Sequence, residues 1–268
     1  EEMFQIHRPE YVIHLASRVG GVLSNMNNMG DFFFDNATIN TNVLDACRKF
    51  EVRKVLSCLS TCIYPDKAKY PLREACIHDG PPHSSNYSYA YTKRMLDIQS
   101  RAYRKQFGCN FITMSPNNIY GPFDNFAVGD SHVIPSLIRK IYEAVVEQKD
   151  VVIWGDGTPL REFTFSEDIP DICFFLLENY DEEIPINIGS TGERSIKQVV
   201  ERISEIFDFR GDIIWDTKMP SGQYRKPSDN SRFLETGWDE GKYTEFDIGI
   251  EKTCSWFKKN YPNVRGAS

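Results

Sequence analysis

A tyrosine and a lysine whose types and spacing could support proton transfer lie four residues apart, at Tyr89 and Lys93. On a helix this spacing places both side chains on one face. An ammonium beside a phenol lowers the phenol's pKa from its ordinary value of about 10, which would make Tyr89 a usable general acid. The same pair also occurs by chance on solvated helices. Neither Tyr87 nor Tyr91 has a lysine four residues later, which leaves Tyr89 as the candidate.

A serine hydroxyl at Ser60 could take part in the same reaction. Ser60 follows an apolar run at residues 54–59 that is typical of a buried strand. Its hydroxyl could hydrogen-bond a carbonyl oxygen that Tyr89 also holds. Alone, such a residue is more often an ordinary strand-end serine. A strand-end serine, a long loop and then Tyr-x-x-x-Lys on the next helix is a much rarer combination, and it favours one shared site.

The elements that must position these residues alternate between strands and helices. Strands are predicted at residues 11–16, 54–59 and 110–115, and helices at 32–50 and 88–107, the latter ending at Gly108 as its C-cap. This alternation predicts a parallel sheet with right-handed crossovers. Ligands bind beyond the carboxyl ends of such strands. All three predicted strands end in polar, Gly- or Pro-marked segments, where we expect the site.

The second half of the sequence has shorter elements and more loops. Helices are predicted at 133–147, 167–178, 195–207 and 248–260, and strands at 151–154, 184–188 and 213–215. We expect a smaller domain that caps the sheet. The predicted division is a dinucleotide-binding domain at 1–122, joined by parts of 164–190, and a mainly substrate-binding domain at 123–268.

Composition excludes several classes of protein. With 41% hydrophobic residues, the 268-residue chain is too apolar to be disordered throughout. Its apolar runs are far shorter than the roughly 20 residues that a membrane span needs. A net charge of −7 argues against a nucleic-acid partner. Seven cysteines without a zinc-type spacing predict reduced thiols, no metal site and a cytoplasmic location.

The motifs together resemble the extended short-chain dehydrogenases/reductases that act on nucleotide sugars. The Ser-Tyr-Lys set of Ser60, Tyr89 and Lys93 carries this resemblance. Further matching segments are His14-Leu-Ala16, Pro116-Asn-Asn-Ile-Tyr-Gly-Pro122, and Arg161-Glu-Phe163 with Asp168. The implied fold is α/β: a Rossmann-like, doubly wound parallel sheet, here lacking its first strands, with a smaller C-terminal α/β substrate domain.

Within that branch, nearly the whole sequence is similar to the GDP-L-fucose synthase family. The matching segments are Val19-Gly-Gly21, Leu59-Ser-Thr-Cys-Ile-Tyr-Pro65, Tyr120-Gly-Pro-Phe-Asp-Asn-Phe126, His132-Val-Ile-Pro135 and Trp154-Gly-Asp-Gly-Thr-Pro159. The resemblance implies conversion of GDP-4-keto-6-deoxy-D-mannose to GDP-L-fucose. That conversion combines epimerisation at C3 and C5 with NADPH-dependent reduction at C4.

Epimerisation requires a base and an acid on opposite sides of the sugar. The resemblance assigns the base to Cys62 and the acid to His132. Because side chains repeat every second residue along a strand, Cys62 would share a cleft with Ser60. A thiol, with an ordinary pKa of about 8.5, can act as a base where its site lowers that value, and histidine titrates near neutrality. The alternatives are a small buried hydrophobe at Cys62 and a loop hydrogen bond at His132.

The resemblance also implies the ligands and their contacts. The cofactor is NADP(H), and its implied contacts are Ala16, Leu59, Ser60, Lys93, Pro116, Asn117, Asn118, Ile119 and His132. The substrate is a GDP-sugar, and its implied contacts are Lys140, Trp154, Arg161 and Lys226, whose three cations would pair with the diphosphate. Ordinary solvated side chains are the alternative for the two lysines. A homodimer built from the helices at 32–50 and 88–107 is also implied.

The sequence departs from the family pattern in one respect. A Gly-x-x-Gly-x-x-Gly turn is absent, and Gly20-Gly21 lacks the spacing that lets backbone amides approach a pyrophosphate. We therefore expect an N-terminally truncated fragment that binds NADPH poorly by itself, and the residues alone do not separate NADP from NAD. Two alternatives stay open: another extended nucleotide-sugar 4-epimerase or dehydratase, and a catalytically silent cofactor-binding relative.

Overall fold

Strands and helices alternate along the residues that the computed structural model describes, 1–219 and 223–267. The strands are β1 (Tyr11–His14), β2 (Lys54–Cys58), β3 (Phe111–Pro116), β4 (Asn118–Tyr120), β5 (Val151–Trp154), β6 (Leu160–Phe165), β7 (Ile186–Ile188), β8 (Glu193–Ser195) and β9 (Ile213–Asp216). The helices are α1 (Glu2–His7), α2 (Val22–Asn27), α3 (Met29–Lys49), α4 (Tyr87–Phe107), α5 (Val133–Glu147), α6 (Ile169–Asn179), α7 (Ile196–Ile206), α8 (Ser231–Glu235) and α9 (Phe246–Asn260).

A parallel sheet with the strand order β1-β2-β3-β7 forms the base of the fold. Tyr11 of β1 pairs with Lys54 of β2, and Val55 of β2 pairs with Phe111 of β3. β7 extends the sheet by pairing with β3. Because these four strands run in one direction, their carboxyl ends meet at one edge, and the loops that follow β1, β2 and β3 come together there.

Helices cover both faces of this sheet, because its strands are apolar on both sides. Along β2, Val55 packs on one face with Leu44 of α3 and Leu96 of α4. Its neighbour Leu56 packs on the other face with Ile172 of α6. The sequence prediction of a doubly wound, Rossmann-like α/β sheet is therefore confirmed.

The second half of the chain builds two smaller sheets around another apolar core. β6 pairs in parallel with β4 and antiparallel with β8, and β5 pairs in parallel with β9. Helices α5, α7 and α9 contribute to the core beside these strands, through residues such as Ile138, Val200 and Phe257. Within 1–219 and 223–267, we find no helix that combines the length and apolar character needed to cross a membrane.

Several short elements differ from the sequence prediction. The segment 116–122, which was predicted only as the Pro- and Gly-marked end of the third strand, contains β4, because residues 118–120 pair with 163–165 of β6. Neither β6, β8 nor helix α2 was predicted. These elements depend on partners that are distant along the chain, which hydrophobic periodicity does not reveal. Gly108, predicted as a C-cap, ends α4 with a left-handed φ of 71°.

Candidate active site

A cleft of about 470 Å³ is lined by both halves of the chain, beside the carboxyl ends of β2 and β3. Nearly all the residues predicted for the site line it. They are Leu59, Ser60, Cys62, Tyr89, Lys93, Pro116, Asn117, Asn118, Ile119, His132, Lys140, Trp154, Arg161 and Lys226. The exception is Ala16, which lies in a separate, more open groove with Arg18 and Asp35. The cleft thus brings the predicted catalytic residues together.

A short 3₁₀ turn at Thr61–Ile63 presents Ser60 and Cys62 to the cleft. Because β2 ends at Cys58, Cys62 does not lie on a strand, and the expectation that strand alternation aims it into the cleft is wrong. Ser60 has an extended backbone and caps the turn. Its hydroxyl oxygen accepts a hydrogen bond from the Cys62 backbone N–H at 3.3 Å. This cap links the two residues at the head of the turn.

Helix α4 carries Tyr89 and Lys93. Lys93 is 2% exposed, and its ammonium donates a hydrogen bond to the Cys58 backbone oxygen at 2.7 Å. The same ammonium lies 5.8 Å from the centre of the Tyr89 ring. Burial lowers the pKa of Lys93. Burial also raises the pKa of Tyr89, and this effect outweighs the hydrogen bonds with the Ser60 and Ser17 hydroxyls, which lower that pKa. The prediction of a lowered phenol pKa is therefore wrong, because loss of solvation dominates. A phenol with a raised pKa keeps its proton until it can be donated.

His132 immediately precedes α5 and faces the cleft from the second half of the chain. The loop before it is held by two hydrogen bonds to the Asp130 backbone oxygen. The Gly21 backbone N–H donates one at 3.2 Å, and the Asn125 side-chain amide donates the other at 3.3 Å. Burial raises the pKa of Asp124, and the electrostatic interaction with His132 lowers it in part. An acidic neighbour therefore accompanies the candidate acid.

Two asparagines brace the segment that follows β3. Asn117 accepts a hydrogen bond from the Thr164 hydroxyl at 2.6 Å and donates one to the Ser190 backbone oxygen at 2.8 Å. Asn118 donates to the Glu162 backbone oxygen at 2.8 Å. These side-chain amides bond within the protein, so they hold the segment against β6 and the end of β7.

The donor set on this side of the cleft fits a nicotinamide cofactor. Leu59, Pro116 and Ile119 offer apolar surface for a flat ring, and Ser60 and Lys93 offer polar hydrogens. An ammonium has three N–H donors. Among the described residues, the Cys58 backbone oxygen accepts one of the N–H donors of Lys93. These five residues would hold the nicotinamide and its ribose.

Lys140 and Trp154 form a pair on the wall built by the second half of the chain. The Lys140 ammonium lies 5.0 Å from the Trp154 ring centre and donates to the Val152 backbone oxygen at 3.1 Å. Burial lowers the pKa of Lys140. Such a cation–π contact is worth about 0.5–2 kcal/mol. The pair presents one cation and one aromatic face to the cleft, a combination that suits a nucleotide with its phosphates.

Arg161 and Lys226 lie near Cys62. The Arg161 guanidinium donates hydrogen bonds to the backbone oxygens of Gln223 and Tyr224. The Lys226 ammonium lies 3.9 Å from the Cys62 sulfur. The diphosphate contacts assigned to these two cations stay a prediction, but the contact between Lys226 and the thiol was not foreseen.

Ser17, residues 19–23 and Asn25 also line the cleft, although none of them was among the predicted site residues. Ser17 lies close to Tyr89 and donates a hydrogen bond to Asn36 at 2.6 Å. Its position shortly after β1, like that of Ser60 after β2, is the signal that could have identified it. Gly21 approaches the His132 loop so closely that an added Cβ would lie 2.9 Å from the Ser131 backbone oxygen.

Known proteins resemble this chain over nearly its whole length. Residues 1–189 match the model of the NAD dependent epimerase/dehydratase family. A GDP-L-fucose synthase from Dictyostelium discoideum is 45% identical over 264 residues, which are 98% of this chain and 82% of the relative. A GDP-L-fucose synthase from Sinorhizobium fredii is 40% identical, over 97% of this chain and 82% of the relative.

A solved structure supports the same assignment. The crystal structure of a GDP-L-fucose synthetase from Naegleria fowleri bound to NADP superimposes with a TM-score of 0.91 and 40% identity. The match covers 98% of this chain and 82% of that chain. The chain therefore belongs to the NAD dependent epimerase/dehydratase family and, within it, to the GDP-L-fucose synthases.

Proposed function

We propose that this protein converts GDP-4-keto-6-deoxy-D-mannose to GDP-L-fucose, by epimerisation at C3 and C5 followed by reduction at C4. The observation that carries the proposal is one cleft lined by two chemically different sets of residues. Cys62 and His132 suit proton exchange at carbon. Ser60, Tyr89 and Lys93 suit proton donation to oxygen.

Epimerisation uses the acidity of the carbons beside the C4 ketone. The Cys62 thiolate removes the proton from C3 or C5, and the electron pair moves into the ketone as an enolate. His132 returns a proton to the other face of the same carbon, which inverts it. The two residues come from different halves of the chain, Cys62 from the turn after β2 and His132 from the loop before α5. This arrangement is suited to reaching the sugar from two sides.

Reduction at C4 needs a hydride and a proton. NADPH supplies the hydride when it is bound. Ser60 donates a hydrogen bond to the C4 oxygen, and Tyr89 delivers the proton as the oxygen becomes an alkoxide. The raised pKa of Tyr89 keeps the phenol protonated before this step. Lys93, held by the Cys58 backbone oxygen, orients the cofactor ribose and supports Tyr89 electrostatically.

The substrate's nucleotide would lie along the wall formed by the second half of the chain. Lys140 and Arg161 supply cations for the diphosphate, and Trp154 supplies an aromatic face. A related 4-epimerase or dehydratase is not favoured, because those reactions need no thiol at Cys62. A catalytically silent relative is not favoured either, because Ser60, Tyr89 and Lys93 are all in place.

We also propose a division of the chain into a cofactor domain, 1–122 with parts of 164–190, and a mainly substrate-binding domain, 123–268. It is supported by β7 and α6, which pack with the first three strands.

We further propose a homodimer through α3 and α4, supported by the exposed apolar side chains Phe33, Phe34, Met95 and Ile98 on these helices. A cytoplasmic location is supported by seven cysteines that are all free thiols.

The test is to incubate the protein with GDP-4-keto-6-deoxy-D-mannose and NADPH, and to identify the sugar product by NMR. The proposal expects GDP-L-fucose formed with one equivalent of NADPH oxidised. A product with unchanged configuration at C3 and C5 would identify a simple 4-reductase instead. NADPH left unoxidised, with the sugar unchanged, would support a silent relative.

A further inference from the structure

A lysine ammonium contacts the thiol that the proposed function uses as its base. Lys226 Nζ lies 3.9 Å from Cys62 Sγ. Both residues line the cleft and are partly accessible to solvent. The thiolate, not the thiol, removes a proton, and a cation beside the sulfur favours the thiolate.

The chain segment before Lys226 is tied to β6. The Arg161 guanidinium donates to the backbone oxygens of Gln223 and Tyr224, and the Leu160 backbone N–H donates to the Tyr224 oxygen at 2.9 Å. Burial lowers the pKa of Arg161, and electrostatic interaction with Cys62 raises it in part. Lys226 therefore approaches the cleft from an anchored segment.

The residues on either side of Lys226 are anchored too. Arg225 Nε donates to both carboxylate oxygens of Glu193, at 2.8 and 2.9 Å. The Pro227 backbone oxygen accepts a hydrogen bond from the Leu72 backbone N–H at 2.8 Å. With both neighbours held, the Lys226 side chain starts from a defined position beside Cys62.

Two other titratable groups face the Cys62 sulfur. Arg161 approaches from β6 and Tyr89 from α4, and both interact electrostatically with it. The Arg161 donors point to backbone oxygens, and Tyr89 is a neutral phenol. Among the residues at 1–219 and 223–267, Lys226 is the cation within hydrogen-bonding distance of the sulfur.

We propose that Lys226 is a positioning residue for the base, with its ammonium stabilising the Cys62 thiolate. The thiol proton passes to solvent, and the thiolate paired with Lys226 then takes the proton from C3 or C5. The inference rests on the proposed function and deepens it. It gives Lys226 a role in epimerisation that is separate from holding the diphosphate.

The first experiment measures alkylation of Cys62 by iodoacetamide as a function of pH, with the Cys62 peptide quantified by mass spectrometry. In K226M the midpoint pH of alkylation should rise, because the thiolate loses the opposite charge beside it. K226R keeps the charge and should stay near the wild-type midpoint. K140M removes another cleft lysine, one that contacts Trp154 and Val152, and should leave the midpoint unchanged. Peptides containing Cys76 and Cys109 serve as internal references.

The second experiment measures solvent-deuterium exchange at C3 and C5 of the GDP-sugar against pH. The exchange profile of K226M should move to higher pH by the same amount as the alkylation midpoint, and K226R should restore it. An unchanged midpoint in well-folded K226M, with only a raised KM for the GDP-sugar, would overturn the inference and leave a diphosphate contact. If K226M does not fold, K226Q replaces it. Alkylation needs no substrate, so a wild-type protein that turned over no GDP-sugar would count against the proposed function alone.

Discussion

The Gly21 backbone N–H donates a hydrogen bond to the Asp130 backbone oxygen at 3.2 Å. This bond joins the loop after β1 to the loop that ends at His132, so the two halves of the chain meet at the cleft. A Cβ on Gly21 would lie 2.9 Å from the Ser131 backbone oxygen, and a backbone oxygen cannot turn aside as a flexible side chain can. The glycine permits the close approach that holds the His132 loop.

Gly21→Ala should therefore slow deuterium exchange at C3 and C5, because the shifted loop carries the acid. We expect a loss of about 10-fold or more, in line with the sensitivity of catalysis to small misplacements. The matched control is Gly30→Ala in α3, where an added Cβ meets nothing within 4 Å. The control should retain full exchange and gain up to about 1 kcal/mol of stability. Equal exchange rates in the two variants would contradict the role given to Gly21.

Cys62→Ser should suppress exchange at C3 and C5 by about 10²–10⁴-fold, the usual range for a lost general base. A serine hydroxyl is too weak an acid to supply a base near neutral pH. The fold should persist, because Cys62 sits on a surface turn of the cleft and its backbone N–H bonds to Ser60. NMR of the GDP-sugar in D₂O measures the exchange, and NADPH fluorescence checks that the cofactor still binds. Undiminished exchange would show that Cys62 is not the base.

Lys93→Met should abolish reduction yet raise thermal stability at neutral pH. Burial lowers the pKa of Lys93 from its ordinary value of 10.5, so the folded protein binds this proton less tightly than the unfolded chain does. The resulting destabilisation is fully present below the folded pKa and disappears as the pH rises toward the unfolded value. A neutral isostere removes it, and we expect a Tm higher by about 2–4 °C. Calorimetry at pH 7 and pH 10 tests this. The difference from wild type should shrink at pH 10, and a lower Tm for the variant at pH 7 would show that Lys93 stabilises the fold.

Light scattering should give a mass of twice 30.9 kDa for the wild-type protein at micromolar concentration. Ile98→Glu places a charge among the exposed apolar residues of α4 and should produce the monomer mass. Val146→Glu changes an equally exposed apolar residue on α5, outside the proposed interface, and should leave the dimer intact. A monomeric wild-type protein would exclude the homodimer. A dimer that persists in Ile98→Glu would place the interface elsewhere.

The helical part of the site was predictable because its signals are local. Tyr89 and Lys93 are four residues apart on a helix that ends at Gly108, and the structure places both in the cleft. The buried strands β2 and β3 were equally visible as short apolar runs. The phenol pKa was predicted in the wrong direction, because the charge of Lys93 is evident from the sequence and the burial of Tyr89 is not.

The rest depends on contacts between distant segments. Cys62 reaches the cleft through a turn capped by Ser60, not through strand alternation, and a strand's last residue is poorly defined by sequence. Lys226 and Cys62 are 164 residues apart in the sequence, so no motif could have indicated their contact. β4 likewise exists because β6 lies beside it.

The most direct test of two chemistries in one cleft is Tyr89→Phe, incubated in D₂O with GDP-4-keto-6-deoxy-D-mannose and NADPH. The phenol donates a proton to the C4 oxygen, whereas Cys62 and His132 act on carbon. The account predicts that NADPH oxidation falls by about 10²-fold or more while deuterium still enters C3 and C5 at close to the wild-type rate. If deuterium entry falls as steeply as NADPH oxidation, the division of labour between Tyr89 and the Cys62–His132 pair is wrong.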